Sequence, residues 1–289
     1  MPELDPRLTP ARPDLAAEHL RGQVEAERFV EPVDWQCHIP ASPIRRSPSP
    51  TGAMDDQVLC GEVFAVLEEV DGWAWGFSRA DGYVGWVDLS GFTHVVLPVK
   101  RRISVLRTYA FSEPDFKKAP ECLLSLNAVI DTGRREGRFL EAKGLGWVVE
   151  EHTCALDEHA TDFVAVAEAF LGSPYLWGGK ESLGLDCSGL VQMALRAAGL
   201  DVPRDTDQQE AVLKAAFPDV TTDPERQRGD VVFWPGHVGI MTDSEHLLHA
   251  NANSMDTTLE VFAEAEARIQ AAENPVRTIV RVPLSPASG

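Results

Sequence analysis

Cys187 stands immediately before the apolar run SGLVQMALRAAG, whose periodicity predicts a helix with the sulfur at its N-terminus. Unpaired backbone N–H groups and the helix dipole favour thiolate there. An ordinary thiol is only about a few per cent ionised near neutrality, so it needs a partner imidazole to become a useful nucleophile. Histidines lie downstream, His237 in GDVVFWPGHVGI and His249 in HLLHAN among them, but spacing alone does not show that any of them meets Cys187. An imidazole close enough to take its proton would give a thiolate–imidazolium pair. That chemistry alone is that of a thiol hydrolase or acyltransferase. The alternatives are a small buried hydrophobe at Cys187, a structural turn residue at His237 and a polar strand residue at His249. His246 and His249 form an H-x-x-H pair, but three residues apart in a strand they point to opposite faces, so no metal site is expected.

These residues need a helix and a sheet to bring them together. CALDEHATDFVAVAEAFLG has helical spacing, with Phe163, Val166, Ala167 and Phe170 on one face. A Gly-rich loop (SPYLWGGKESLGLD), the Cys187 helix, the loop DVPRDTDQQ and a further helix (EAVLKAAF) follow. Strands are expected at DVVFWPGHVGIMTD, HLLHAN and VRTIVRVPL. Helices first and a small sheet afterwards is an α+β arrangement, assigned to 156–289.

The preceding text is different. Residues 33–98 are short alternating runs cut by the turns Asp71-Gly72 and Asp81-Gly82, which predicts a small antiparallel barrel. Residues 99–155 repeat the pattern with drift, and GRFLEAKGLGWVVEEHT echoes ADGYVGWVDLSGF, which suggests tandem barrels. Residues 1–32 are expected to form a leader whose helix runs from Asp14 to Phe29, from the spacing of Leu15, Leu20, Val24 and Phe29. Trp35, Trp73, Trp75, Trp86, Trp147 and Trp234 are expected in cores.

The string from Tyr175 to Gln192, Gly236-His237-Val238-Gly239-Ile240 and the His249-Ala250 pair together resemble the NlpC-type cell-wall peptidases, a papain-like clan. The resemblance implies a papain-like catalytic domain at 156–289, with Cys187 as nucleophile, His237 as base and His249 as orienter. It implies cleavage between D-glutamate, through its γ-carboxyl, and a diamino acid of murein stem peptides, without a cofactor. The Tyr175 hydroxyl, or an ordinary core tyrosine, stands beside the Cys187 backbone N–H as an oxyanion donor. Pro203-Arg204-Asp205-Thr206-Asp207-Gln208-Gln209 resembles the segment of members that demand a free N-terminal L-alanine. Asp205 would then pair with that ammonium; the alternative is a helix N-cap at Asp205 or Thr206. The first barrel resembles bacterial SH3 domains, which in relatives of this layout pack on the catalytic domain and wall off the alanine end of the pocket. Tyr83, with Asp55 and Asp56 as possible helpers, is the candidate reaching from it, against an ordinary strand aromatic. Trp177, Gly178 and Gly179 are a candidate pocket edge, the glycines equally a structural turn, and Ser188 and Thr206 are counted as substrate contacts.

The formal charge of −19 argues against nucleic acid and acidic lipid surfaces as partners. Five scattered cysteines fit neither a disulfide framework nor a zinc site, so Cys37, Cys60, Cys122 and Cys154 are expected to be inert. The first residues have no basic stretch followed by an apolar one, so the expected location is the cytoplasm. The expected partner is a small murein peptide, with oligomeric state open. The combined expectation is a peptidase releasing L-Ala-γ-D-Glu from freed stem peptides. Its alternatives are an exported wall-lytic hydrolase anchored by the SH3-like modules and a catalytically silent peptide-binding protein.

Overall fold

The computed structural model describes residues 4–272 and 274–285. Two compact units divide at Ala155/Leu156.

The first unit is all β. Its larger sheet has seven strands in the order Met54–Leu59, Ala41–Arg45, Val84–Asp88, Trp73–Ser78, Val63–Val70, Val33–Cys37 and Phe92–Thr93, paired antiparallel throughout. Asp71 and Gly72, both at positive φ (49° and 82°), close the tight hairpin that pairs Val70 with Trp73. An Asp-Gly pair is suited to this turn because its two central residues must both be left-handed. Trp35, Ile44, Val58, Phe64, Val66 and Tyr83 are among the residues of its core.

Residues 101–155 form a three-stranded and a five-stranded antiparallel sheet around Ile103, Ala110, Leu124, Ile130 and Val148. Cys60 of the preceding sheet is buried in this same cluster. A Cβ on the adjacent Gly61 would lie 1.8 Å from the Val129 carbonyl oxygen, so only glycine allows the approach. The two echoed segments share a local plan: Val84–Asp88 and Gly146–Val149 each lead into a single 3-10 turn and a short strand.

The leader is not a helix. Leu15–Ala17 and Arg28–Val30 are short parallel strands, with one 3-10 turn at Glu18–Leu20. Leu15, Ala16 and Ala17 are each 0% exposed, three consecutive buried residues that no one-sided helix would show. Leu15, Ala17 and Leu20 cover the outer face of the seven-stranded sheet against Ala65, Leu67, Trp75 and Phe77. Leu15, Leu20 and Val24 share helical spacing because they pack onto that face, while Phe29 lies under the Arg21 guanidinium instead.

Among its described residues the second unit has four helices, a five-stranded sheet and a two-stranded one, Lys180–Glu181 with Gly184–Leu185. The helices are α1 (Phe163–Glu168), α2 (Cys187–Ala197), α3 (Thr206–Ala216) and α4 (Phe262–Gln270). The antiparallel sheet runs Asp256–Val261, His246–Asn251, His237–Met241, Asp230–Trp234, Thr278–Arg281. Helix α2 is buried at every position but Arg196 and packs on α1 and on the two strands that begin at His237 and His246. Helix, strand and strand are thereby layered so that the start of α2 lies over the start of the His237 strand.

Candidate active site

Asp186 positions the nucleophile. It is the N-cap of α2, where its Oδ1 accepts from the Gly189 N–H at 2.8 Å and its Oδ2 from the Gly178 N–H at 2.8 Å. Arg204 grips both carboxylate oxygens, at 2.9 and 2.7 Å, and also donates to Ser188 Oγ at 2.7 Å and to the Gly179 carbonyl at 3.1 Å. At 1% exposed, this guanidinium is a structural cation that fixes the loop before Cys187. Gln209, fully buried on α3, donates to the Ser188 and Pro203 carbonyls at 3.0 and 2.9 Å and holds α3 to the start of α2.

These bonds revise two expectations. Ser188, a residue only 5% exposed, uses its hydroxyl to donate to Asp186 and accept from Arg204, which holds the loop in place of the expected substrate contact. Gly178 and Gly179 are turn residues: Gly178 sits at φ 75°, and a Cβ on Gly179 would lie 2.4 Å from the Gly184 carbonyl oxygen.

Cys187 is 7% exposed, and its sulfur accepts from the backbone N–H groups of Val238 and Ser188. Val238 is the neighbour of His237, so thiol and imidazole come from adjoining points of helix and strand. Pro235 and Gly236 make the tight turn before His237, with Gly236 at φ 72°.

His237 Nε2 lies 2.8 Å from His249 Nδ1, and His249 Nε2 lies 2.7 Å from Glu260 Oε2. Gly239 permits this: a Cβ there would be 3.2 Å from the His249 Cβ and 2.8 Å from Leu247 Cδ1. Trp234, 1% exposed, lies 5.6 Å from the His237 ring and shields it from water. His249 is itself 0% exposed, with both ring nitrogens bonded. His246 instead bonds Asp243 at 2.9 Å, and no metal-binding cluster occurs among the described residues.

Burial weighs against the charged form of each member of the pair. Burial pushes the Cys187 thiol up to about 12, with Asp186 adding to the rise and the two N–H donors and Arg204 opposing it. Burial pulls His237 down to about 3, helped by His249 and Arg268. Both shifts favour a neutral thiol beside a neutral imidazole, because desolvation penalises each charged form. Activity is lost on the acid side only when His237 takes up a proton. The acid limb of kcat/KM against pH is therefore expected well below the ordinary imidazole value of about 6.5. An acid limb centred between pH 6 and 7 would contradict this.

Tyr175 is half-buried, and burial together with Cys187 and Asp186 raises its phenol, which keeps the O–H as a donor. Trp177 is 60% exposed in the same loop. Asp205 holds the N-cap position of α3 through its backbone, its carbonyl accepting from the Gln209 N–H at 2.9 Å, but its side chain makes no capping bond. Thr206 is the first helical residue and not the cap. Tyr83 is 6% exposed within the core of the first unit, and Asp55 pairs there with Arg46 at 2.6 Å.

Sequence reasoning missed Asp186, Arg204, Gln209 and Glu260 as parts of the site. Asp186 and Arg204 were visible in the quoted motifs, but their pairing spans a helix. Glu260 carried no local signal at all.

Residues 172–268 match the NlpC/P60 family, and residues 44–92 match the bacterial dipeptidyl-peptidase SH3 domain. The chain is similar to dipeptidyl-peptidase 6 of Lysinibacillus sphaericus, 36% identical over 129 residues, 41% of this chain and 45% of that protein. It is also similar to the gamma-D-glutamyl-L-lysine dipeptidyl-peptidase of Bacillus subtilis (strain 168), 32% identical over 99 residues, 32% of each chain. The chain thus spans less than half the length of these curated relatives. Among solved structures, an NlpC/P60 family protein from Bacillus cereus ATCC 10987 superimposes with a TM-score of 0.72 at 16% identity, covering 87% of this chain and 99% of that one. The fold is therefore that of the papain-like NlpC/P60 proteins.

Proposed function

We propose, for a chain that joins an NlpC/P60 domain to a dipeptidyl-peptidase-type SH3 domain, a cysteine peptidase that cleaves the γ-D-glutamyl bond to a diamino acid in free murein peptides and releases L-Ala-γ-D-Glu. The observation that carries this reading is the Cys187 thiol at the buried start of α2, against the strand whose His237 is bonded to His249 at 2.8 Å. Cys187 attacks the γ-glutamyl carbonyl carbon as its proton passes to His237, and the carbonyl oxygen takes the negative charge. The Cys187 N–H and the Tyr175 hydroxyl are the donors proposed to meet that oxyanion. His237 then protonates the departing amine, leaving a thioester that water, activated by the same imidazole, hydrolyses.

The restriction to free peptides rests on Asp205. A half-buried carboxylate facing the L-alanine ammonium makes a charge-assisted bond, and an alanine still amidated to muramic acid offers no such charge. In this reading Trp177, 60% exposed in the loop before α2, lies at the rim of the pocket. Residues 99–155 are, in the same reading, a second SH3-like barrel. The reaction then belongs to peptide recycling in the cytoplasm, and fractionation with activity on intact sacculi would instead support an exported lytic enzyme.

L-Ala-γ-D-Glu-meso-diaminopimelate is expected to be cleaved and its N-acetylated form to resist. Asp205→Asn is expected to raise KM for the free peptide about 10- to 100-fold, the worth of one hydrogen bond to a charged group. Equal cleavage of both peptides, or an unchanged KM, would sink the assignment of Asp205.

A further inference from the structure

Two imidazoles in series work as base and orienter only if their protons sit on the correct nitrogens. One proton lies between His237 Nε2 and His249 Nδ1. Were it carried by a neutral His249, that ring's bare Nε2 would face the Glu260 carboxylate at 2.7 Å, lone pair against lone pair. His249 is 0% exposed, so no bulk water relieves that arrangement. The other tautomer satisfies every atom. His249 Nε2–H donates to Glu260, His249 Nδ1 accepts from His237 Nε2–H, and His237 keeps a lone pair on Nδ1.

Glu260 reaches His249 through strand register. His249 pairs with Thr258, and Glu260 lies two residues further along on the same face. Arg268 of α4 ion-pairs with Glu260 and holds its carboxylate in place. The charged and titratable groups acting on the rings and thiol come from three sides. Asp186 and Arg204 flank the start of α2, Asp256 and Glu260 lie on the outer strand, and Arg268 is on α4. Burial holds His249 below its ordinary range although Glu260 opposes this, so the ring stays neutral.

We infer that Glu260, anchored by Arg268, is the positioning residue that sets the tautomers of His249 and His237 and leaves His237 Nδ1 unprotonated to receive the thiol proton. This rests on the peptidase reading above and adds a fourth and a fifth residue to it. Glu260 and Arg268 act on His249 in opposite senses: the charge of Glu260 favours imidazolium and that of Arg268, which also reaches His237, opposes it.

The test uses the full chain with Glu260→Ala, Glu260→Gln and Arg268→Gln, each checked for an unchanged melting transition. Glu260→Ala is expected to lower kcat about 10- to 100-fold with KM little changed, as loss of an outer partner of a functional histidine does. Glu260→Gln, whose amide oxygen still accepts from Nε2–H, is expected to recover most of that loss. Its acid limb should move to lower pH, and that of Arg268→Gln to higher pH. The rate of Cys187 alkylation by iodoacetamide against pH reads the same machinery without substrate. A wild-type chain that cleaves no γ-glutamyl peptide overturns the functional reading, while alkylation profiles shifted in opposite directions still support the inference. Profiles that do not move, that move in the same direction, or a Glu260→Gln variant as impaired as Glu260→Ala would overturn it.

Discussion

Replacing Cys187 by Ala is expected to remove hydrolysis of L-Ala-γ-D-Glu-meso-diaminopimelate by a factor on the order of 10⁵, while binding of the peptide survives. The sulfur lies at the buried start of α2 and bonds the Val238 N–H beside His237. His237 and His249 lose their proton donor with it, so little residual chemistry should remain. The substitution removes one atom at the end of a well-capped helix, and Asp186 still bonds Gly178 and Gly189, so the fold should persist. Titration calorimetry of the variant with uncleaved peptide measures the binding, and product analysis over days measures the turnover. Hydrolysis within tenfold of the unaltered chain would assign the activity to other residues. Unchanged behaviour in both assays would leave a binding protein.

Replacing Arg204 by Met is expected to destabilise the second unit by about 3–5 kcal/mol, the usual cost of stripping a buried carboxylate of its partner. Asp186 is 6% exposed and accepts from Arg204 through both oxygens, so without the guanidinium it must either keep an uncompensated charge or take up a proton. Protonation would weaken its caps on Gly178 and Gly189, and the start of α2 would loosen. The variant should therefore melt early and also turn over slowly, with Cys187 alkylation losing its regular dependence on pH. Adding Asp186→Asn in the same chain removes the stranded charge and keeps one acceptor. Urea denaturation of the double variant should recover a large part of the lost stability. A single variant as stable as the parent would show that Arg204 is not the counter-ion described here.

The reading of the chain divides along the range of the interactions involved. Asp71-Gly72 was legible because a hairpin turn is decided by the φ values of its own two residues. The start of α2 at Cys187 was legible because an apolar run of helical period is a local signal. The leader was misread because its apolar spacing fits a helix by number, whereas its conformation is decided by the sheet face it covers. Ser188 was misread because nothing in D-C-S-G reports that an arginine from beyond the helix will occupy its hydroxyl.

The sequence by itself determined that a cysteine opens an apolar helix, that two histidines follow on successive strands, and that an α+β domain succeeds all-β modules. These rest on residue type and short spacing, which act within a few positions of the chain. The tertiary structure alone decided the state of that cysteine and the direction in which the histidines point. Burial favours the neutral forms of thiol and imidazole, a consequence of desolvation that no motif encodes. Strand register sets Glu260 under His249, and the fold of α3 back onto α2 sets Arg204 on Asp186. Both are long-range pairings, and their chemistry exists only once the intervening chain has folded.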